Sequence, residues 1–135
     1  MVRMIRIALS LMFIVSFSIA LQAQELLKQE YHKNGQLKST ITRYDKEIQV
    51  VNYYDNGRMK ERFYFIDFKR HGVFEAWHSD GSKHMTIAYE NNKPSGQWQV
   101  WNNSGQLIAE ALFENGNLKS GHMWDKEGNP IAFQE

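Results

Sequence analysis

The sequence contains no cysteine. Disulfide scaffolds, thiol catalysis, cysteine-based zinc sites and lipid attachment through an N-terminal cysteine are all excluded. Proline occurs twice and glycine nine times, which rules out collagen-like and proline-rich disordered chains. No apolar run reaches the ~20 residues that a membrane-crossing helix needs. The longest, Ile7 to Ala20, covers 14 residues and is broken only by Ser10, Ser16 and Ser18. Charge of one sign is also missing. Arg3 and Arg6 lie ahead of that run with no acid near them; without these two, the 16 Lys and Arg become 14, against 15 Asp and Glu, a net of −1. Such a balance offers no field to draw in nucleic acid or anionic lipid.

The first 23 residues have the form of an export signal: a basic start, a short apolar core, then small residues. Cleavage after Ala20 places Ser18 and Ala20 at the −3 and −1 positions, and cleavage after Ala23 places Leu21 and Ala23 there. The second is favoured, giving Gln24 as the new terminus. The expected organisation is a signal peptide over residues 1–23 and one domain over 24–135. The expected location is periplasmic or secreted, not as a lipoprotein, with no integral span after cleavage. An exported chain without disulfides must be held by regular hydrogen bonding.

What the remainder does have is repetition. Glycines 35, 57, 81, 105 and 128 are spaced by 22, 24, 24 and 23 residues. Four residues before each stands an aromatic: Tyr31, Tyr53, Trp77, Trp101 and Trp124. Aromatics are 13% of the chain, so five matches in five are not chance. The residue before each glycine is Asn34, Asn56, Asp80, Ser104 or Glu127, and Asn-Gly or Asp-Gly predicts a type I′ hairpin turn with positive φ at both central residues. A repeat of this period takes precedence over any other reading.

Between turns the chain alternates with period two. Leu37, Met59, Lys83 and Leu107 stand two past the glycine, and Ile41, Phe63, Ile87 and Ala111 six past. Arg43, Phe65, Tyr89 and Phe113 stand eight past, so all three offsets are expected on one sheet face. A second turn follows at Asp67-Phe68-Lys69, Asn91-Asn92-Lys93-Pro94 and Asn115-Gly116-Asn117, then a second glycine at 72, 96 and 121. Phe74, Trp98 and Met123 lie two beyond it and belong to the same face. Each unit of about 23 residues is thus a hairpin feeding the next. The fold class is all-β, an open single-layer array of stacked hairpins, with nine or ten strands at ~4.8 Å making a sheet about 45 Å long. The first unit has Asp45-Lys46-Glu47 where a second glycine would stand, and the last stops after Ile131-Ala132-Phe133; irregular end units keep an open sheet from recruiting other chains.

The pattern in Tyr53-Tyr54-Asp55-Asn56-Gly57-Arg58-Met59 and in Gly96-Gln97-Trp98-Gln99-Val100-Trp101 resembles the variant MORN repeat. Arrays like it are similar to bacterial antitoxin components of the YwqK family, over roughly residues 29–133. The resemblance implies stacked hairpins and a binding role, and it carries no catalytic motif. Combined with an export signal, it implies a target met outside the inner membrane.

Chemistry has little else to stand on. His71, His78 and His84 occupy three different repeat offsets, and surface or turn positions account for the histidines better than a metal set. Glu75, Asp80, Glu90, Glu110 and Glu114 are candidate carboxylates by type only. No nucleophile elbow, phosphate loop or dinucleotide fingerprint is present. The expectation is a protein without catalytic residues, metal or cofactor, and without a nucleic-acid partner. The one feature with binding potential is the row Tyr31, Tyr53, Trp77, Trp101 and Trp124, advancing about 9.6 Å per unit. It either clamps neighbouring hairpins or grips a ligand, and Trp98 by its parity is core. Two functions are carried forward: an exported module binding a protein partner, as a toxin neutraliser or envelope scaffold, and a glycan or cell-wall binder using the row.

Overall fold

The computed structural model describes residues 24–132. The inferred signal segment and the last three residues lie outside that range. All regular structure in it is strand. The elements are β1 (Gln24–Tyr31), β2 (Leu37–Tyr44), β3 (Glu47–Tyr53), β4 (Met59–Ile66) and β5 (Lys69–Trp77). They continue as β6 (Lys83–Glu90), β7 (Lys93–Trp101), β8 (Leu107–Glu114), β9 (Asn117–Trp124) and β10 (Pro130–Ile131). Every strand pairs antiparallel with the next, so the ten form one sheet in sequence order. The open array of stacked hairpins is what the repeat led us to expect.

The two faces are chemically distinct. On one, Ile41 pairs with Val50 and Val50 with Phe63, whose ring stacks on Phe74 at 6.1 Å. Phe74 then pairs with Ile87, Ile87 with Trp98, and Trp98 with Ala111. Met123 lies on this face through its pairing with Ala109. The other face carries a row running Thr40, Val51, Arg62, Glu75, Thr86, Gln99, Glu110 and His122. Cross-strand partners share a face, so the first is apolar and the second polar.

Burial shows what one layer costs. The buried side chains are Thr42, Val51, Ala76, Ala109 and Ala111, all small, and no large side chain among the described residues is fully buried. Phe63, Phe65, Phe74 and Trp98 are half-buried, covered only by neighbours within their own layer.

The turns differ from expectation in an informative way. Type I′ geometry is absent at Asn34-Gly35, Asn56-Gly57 and Asp80-Gly81, where only the glycine has positive φ, between 82° and 92° at 57 and 81. The loop is instead a type I turn closed by a glycine bulge: Gly57 N donates to Tyr54 O at 3.0 Å and Tyr54 N to Arg58 O at 2.8 Å. The asparagine side chains fit this geometry. Asn56 Oδ1 accepts from Arg58 N at 3.0 Å while its Nδ2 donates to Ser79 O of the next turn at 2.9 Å. Asn34 does the same with Gln36 N and Asp55 O. Asparagine therefore acts through its amide, as an Asx turn that also reaches its neighbour, and not through left-handed backbone. Type I′ geometry occurs at the opposite edge, in the two-residue loops Asp67-Phe68, Asn91-Asn92 and Asn115-Gly116.

The stacking continues just inside the turns. His32 Nε2 lies 3.0 Å from Tyr53 O, Tyr54 OH donates to Trp77 O at 2.9 Å, and His78 Nε2 lies 3.1 Å from Trp101 O. In the first three units a polar side chain thus reaches the backbone of the next, whereas Asn102 and Asp125 bond within their own turns. At the other edge Arg70 N donates to Asn92 Oδ1 at 2.7 Å and Gly116 N to Pro94 O at 3.0 Å. The outer strands are blunted. β1 pairs with register shifts and carries the Lys28–Glu30 ion pair at 2.7 Å, while β10 is two residues long and begins with proline.

A half-buried hydrogen bond of this kind contributes about 1 kcal/mol. Tyr54→Phe should therefore lower the thermal midpoint by about 4 °C or more. Tyr31→Phe, whose hydroxyl meets only exposed Gln29, should leave it unchanged. Differential scanning calorimetry of both variants checks this.

Candidate functional site

The aromatic row lies on the polar face. Trp77 sits beneath the Arg62 guanidinium at 5.8 Å, and Arg62 belongs to the polar row. The Trp124 and His122 rings are 6.0 Å apart, and Tyr31 OH donates to Gln29, two residues back on the same side. Tyr31 is 59% exposed; Tyr53, Trp77, Trp101 and Trp124 are half-buried. The opposite parity of row and core expected for Trp77 and Trp101 is what the pairing gives. Trp98 takes its place on the apolar face with Ile87 and Ala111.

One part of the parity reading is corrected. Register shifts beside the turns bring Tyr31 opposite Leu37, Tyr53 opposite Met59, Trp77 opposite Lys83 and Trp101 opposite Leu107. The residue two past each glycine is thus the cross-strand partner of the aromatic row. An extra residue in each bulge breaks simple alternation. The backbone carbonyls of Tyr53, Trp77 and Trp101 accept the inter-unit bonds, and the donors are the residues that follow the preceding aromatic. That position reads His32, Tyr54, His78, Asn102 and Asp125: the first three reach the next unit, and the last two bond within their own turns. That all five can hydrogen-bond was visible in the alignment on glycine, although residue identity varies.

The strongest charge cluster lies beside Trp77. Glu75 accepts from Arg62 through a charge-assisted bond and from Lys83 Nζ at 3.2 Å. Burial raises the Glu75 carboxyl, but the bonds from Arg62 and Lys83 outweigh it and hold the group below the ordinary carboxylate range. The same bond to Glu75 raises Arg62. The other candidate carboxylates have separate roles: Asp80 bonds Ser82, Glu110 lies 3.6 Å from His122, and Glu114 pairs with Lys119 at 3.4 Å. Glu90 is exposed at a turn. They are distributed along the array and not gathered in one pocket.

His78 and His84 do meet, contrary to what their offsets suggested, with ring centroids 4.4 Å apart. The bulge carries His84 across the turn, and both rings face Trp101 O. Among the described residues, no three of His, Cys, Asp and Glu converge as a metal set. A shallow hollow of about 180 Å³ on the polar face is lined by Gln97, Gln99, Glu110, Ser120 and His122. No helix of the described residues is long and apolar enough to cross a membrane.

Two segments match the MORN repeat variant. They are residues 24–45, holding β1, its turn and β2, and residues 94–115, from within β7 to the turn after β8. Each begins 11 residues before its turn glycine, Gly35 or Gly105, so the two MORN-variant matches fall in the same register of the repeat. No curated protein matches the chain. Among solved structures, similarity is found to S. aureus TarM, in a mutant form in complex with Fondaparinux, alpha-GlcNAc-glycerol and UDP (20% identity, TM-score 0.46). A second TarM crystal structure shows 19% identity and a TM-score of 0.46. In both, 73% of this chain is covered and the chain spans 21% of the other's length.

Because the Glu75 pKa is lowered in the folded state, its contribution is present above the unfolded carboxylate pKa and is lost as pH falls through the folded value. Wild-type stability should therefore fall from about pH 5 downward, and Glu75→Gln should be less stable at pH 7 with a shallower acid slope. Urea unfolding at a series of pH values measures both.

Proposed function

We propose that the protein is a non-enzymatic, exported interaction module that binds a protein partner over its apolar face. The observation that carries this reading is a continuous stripe through Phe63, Phe74, Ile87 and Trp98 with no second layer of the described residues upon it. Sheets ordinarily bury such a face against another element, so a half-buried apolar face left without one supports an interaction surface. The MORN-variant matches support a binding role. The leader supports a partner met outside the inner membrane, either an exported toxin that the protein neutralises or an envelope component that it scaffolds.

The polar face favours a second, narrower reading. Trp77, Trp101 and Trp124 stand there among Gln99, Glu110 and His122, which gives ring faces and hydrogen-bonding groups together, as a glycan requires.

Capture from an envelope extract of the host separates these readings. One stoichiometric protein partner should be retained by the wild type and by Gln99→Lys, and lost in Ile87→Lys and Trp98→Lys with the strand signal in circular dichroism intact. Loss confined to Trp77→Ala and Trp101→Ala, with polysaccharide in the eluate, would replace the first reading by the second. Mass spectrometry of the host's own protein should find a chain beginning at Gln24, or at Leu21 if cleavage follows Ala20; an intact Met1 terminus would overturn export by cleavage.

A further inference from the structure

The loop between β4 and β5 holds a feature that neither the fold nor the partner-binding face explains. Phe68 is 100% exposed and has φ 60°. A bulky side chain in the left-handed region is disfavoured, and full exposure gives it no packing in return. The equivalent positions in the other two-residue loops are Lys46, Asn92 and Gly116. Asparagine and glycine suit the backbone there, so the repeat itself does not call for phenylalanine.

Beside Phe68 lies a hollow of about 540 Å³ floored by Leu27, Ile48 and Phe65, wide enough to take a phenyl ring. Its rim has balanced charge, Arg43 and Lys46 against Asp45 and Asp67. Among the described residues, Lys46, Asp45 and Asp67 have no ion-pair partner, while Arg43 meets Glu25 at 3.0 Å. One corner of the sheet therefore carries an apolar knob, an apolar hole and unpaired charges of both signs.

A surface holding a knob and its own hole is complementary to itself under a two-fold rotation. We infer that two copies of this chain associate through this corner, with Phe68 of each seated in the Leu27–Ile48–Phe65 hollow of the other. The charge balance singles out a second copy. A rim of mixed charge allows Lys46 of one copy to meet Asp45 or Asp67 of the other across a two-fold axis, whereas a uniformly acidic or basic partner would be opposed by like charge on part of the rim. An aromatic anchor in an apolar pocket with a charged rim is also the arrangement that concentrates binding energy in one residue. The contact uses a turn at one edge and a hollow beside the Phe63 end of the apolar stripe, and it leaves the stretch from Phe74 to Trp98 open to a foreign partner.

The test is sedimentation velocity on the protein as isolated from its host, over about 1 to 200 µM. The wild type should move from monomer to dimer across that range and stop at two. Phe68→Asn places the residue of the third unit on the same backbone, so its thermal midpoint should equal or exceed the wild type's. Its dissociation constant should rise at least about tenfold. Phe68→Leu, which keeps an apolar knob, should retain most of the association. A wild type monomeric throughout overturns the inference, and so does a Phe68→Asn dimer of unchanged affinity. Binding of Phe68 to lipid vesicles by a monomeric protein would overturn it too, in favour of a membrane contact. Partner capture by Phe68→Asn should be undiminished, which keeps a failure here distinct from a failure of the partner-face reading.

Discussion

A sheet one layer thick has no interior, and every other property of this molecule follows from that constraint. Side chains on either face are covered only by lateral neighbours, so the fully enclosed positions go to alanine, valine and threonine, and the large aromatics stay half-exposed. Cohesion must then come from strand-to-strand pairing and from whatever joins one hairpin to the next. The array supplies this at both edges. Asn34, Asn56, His32, Tyr54 and His78 tie turn to turn along one side, and Arg70–Asn92 and Gly116–Pro94 do so along the other. Each bond spans one repeat. Stability is therefore a nearest-neighbour property, and damage to one unit is felt by the two beside it.

Much of this was legible because it depends on period. Glycine spacing set the unit length, and the parity of Ile41, Phe63, Ile87 and Ala111 assigned the apolar face without error. What escaped was whatever depends on a single extra residue. The bulges at Lys38, Lys60, His84 and Ile108 move Leu37, Met59, Lys83 and Leu107 opposite the aromatic row, and nothing in the alternation announces them. The turn type was misjudged for a related reason. Asn-Gly suits either geometry, and the same turn also forms at Asp80-Gly81, Ser104-Gly105 and Glu127-Gly128, where no asparagine precedes the glycine. The bonds that Asn34 and Asn56 make to the next turn cannot be read from a dipeptide.

The same limit applies to the candidate sites. The aromatic row was found from its spacing, yet the bonds that the backbone carbonyls of Tyr53, Trp77 and Trp101 accept from the preceding unit were not. The chemically charged neighbourhood of Trp77 depends on Arg62, Glu75 and Lys83 arriving from three strands, which no local pattern shows. The apolar face, by contrast, was legible from parity alone, and among the described residues no second layer lies on it.

Repeats also make departures from the pattern meaningful. Where every unit faces the same structural demand, a residue that ignores it is either tolerated drift or answers to something outside the sheet. Lys46 is mild drift, since its φ is not positive and a lysine at an exposed turn costs little. Phe68 is different, because it takes a left-handed conformation that the third and fourth units give to asparagine and glycine, and it exposes a whole ring while doing so. Both penalties are local to one unit and neither is offset among the described residues. An array stabilised by nearest neighbours has no distant core from which to compensate such a residue. In the contact inferred between two copies the compensation comes from the other molecule, and the apolar hollow beside Phe68 gives that contact its shape.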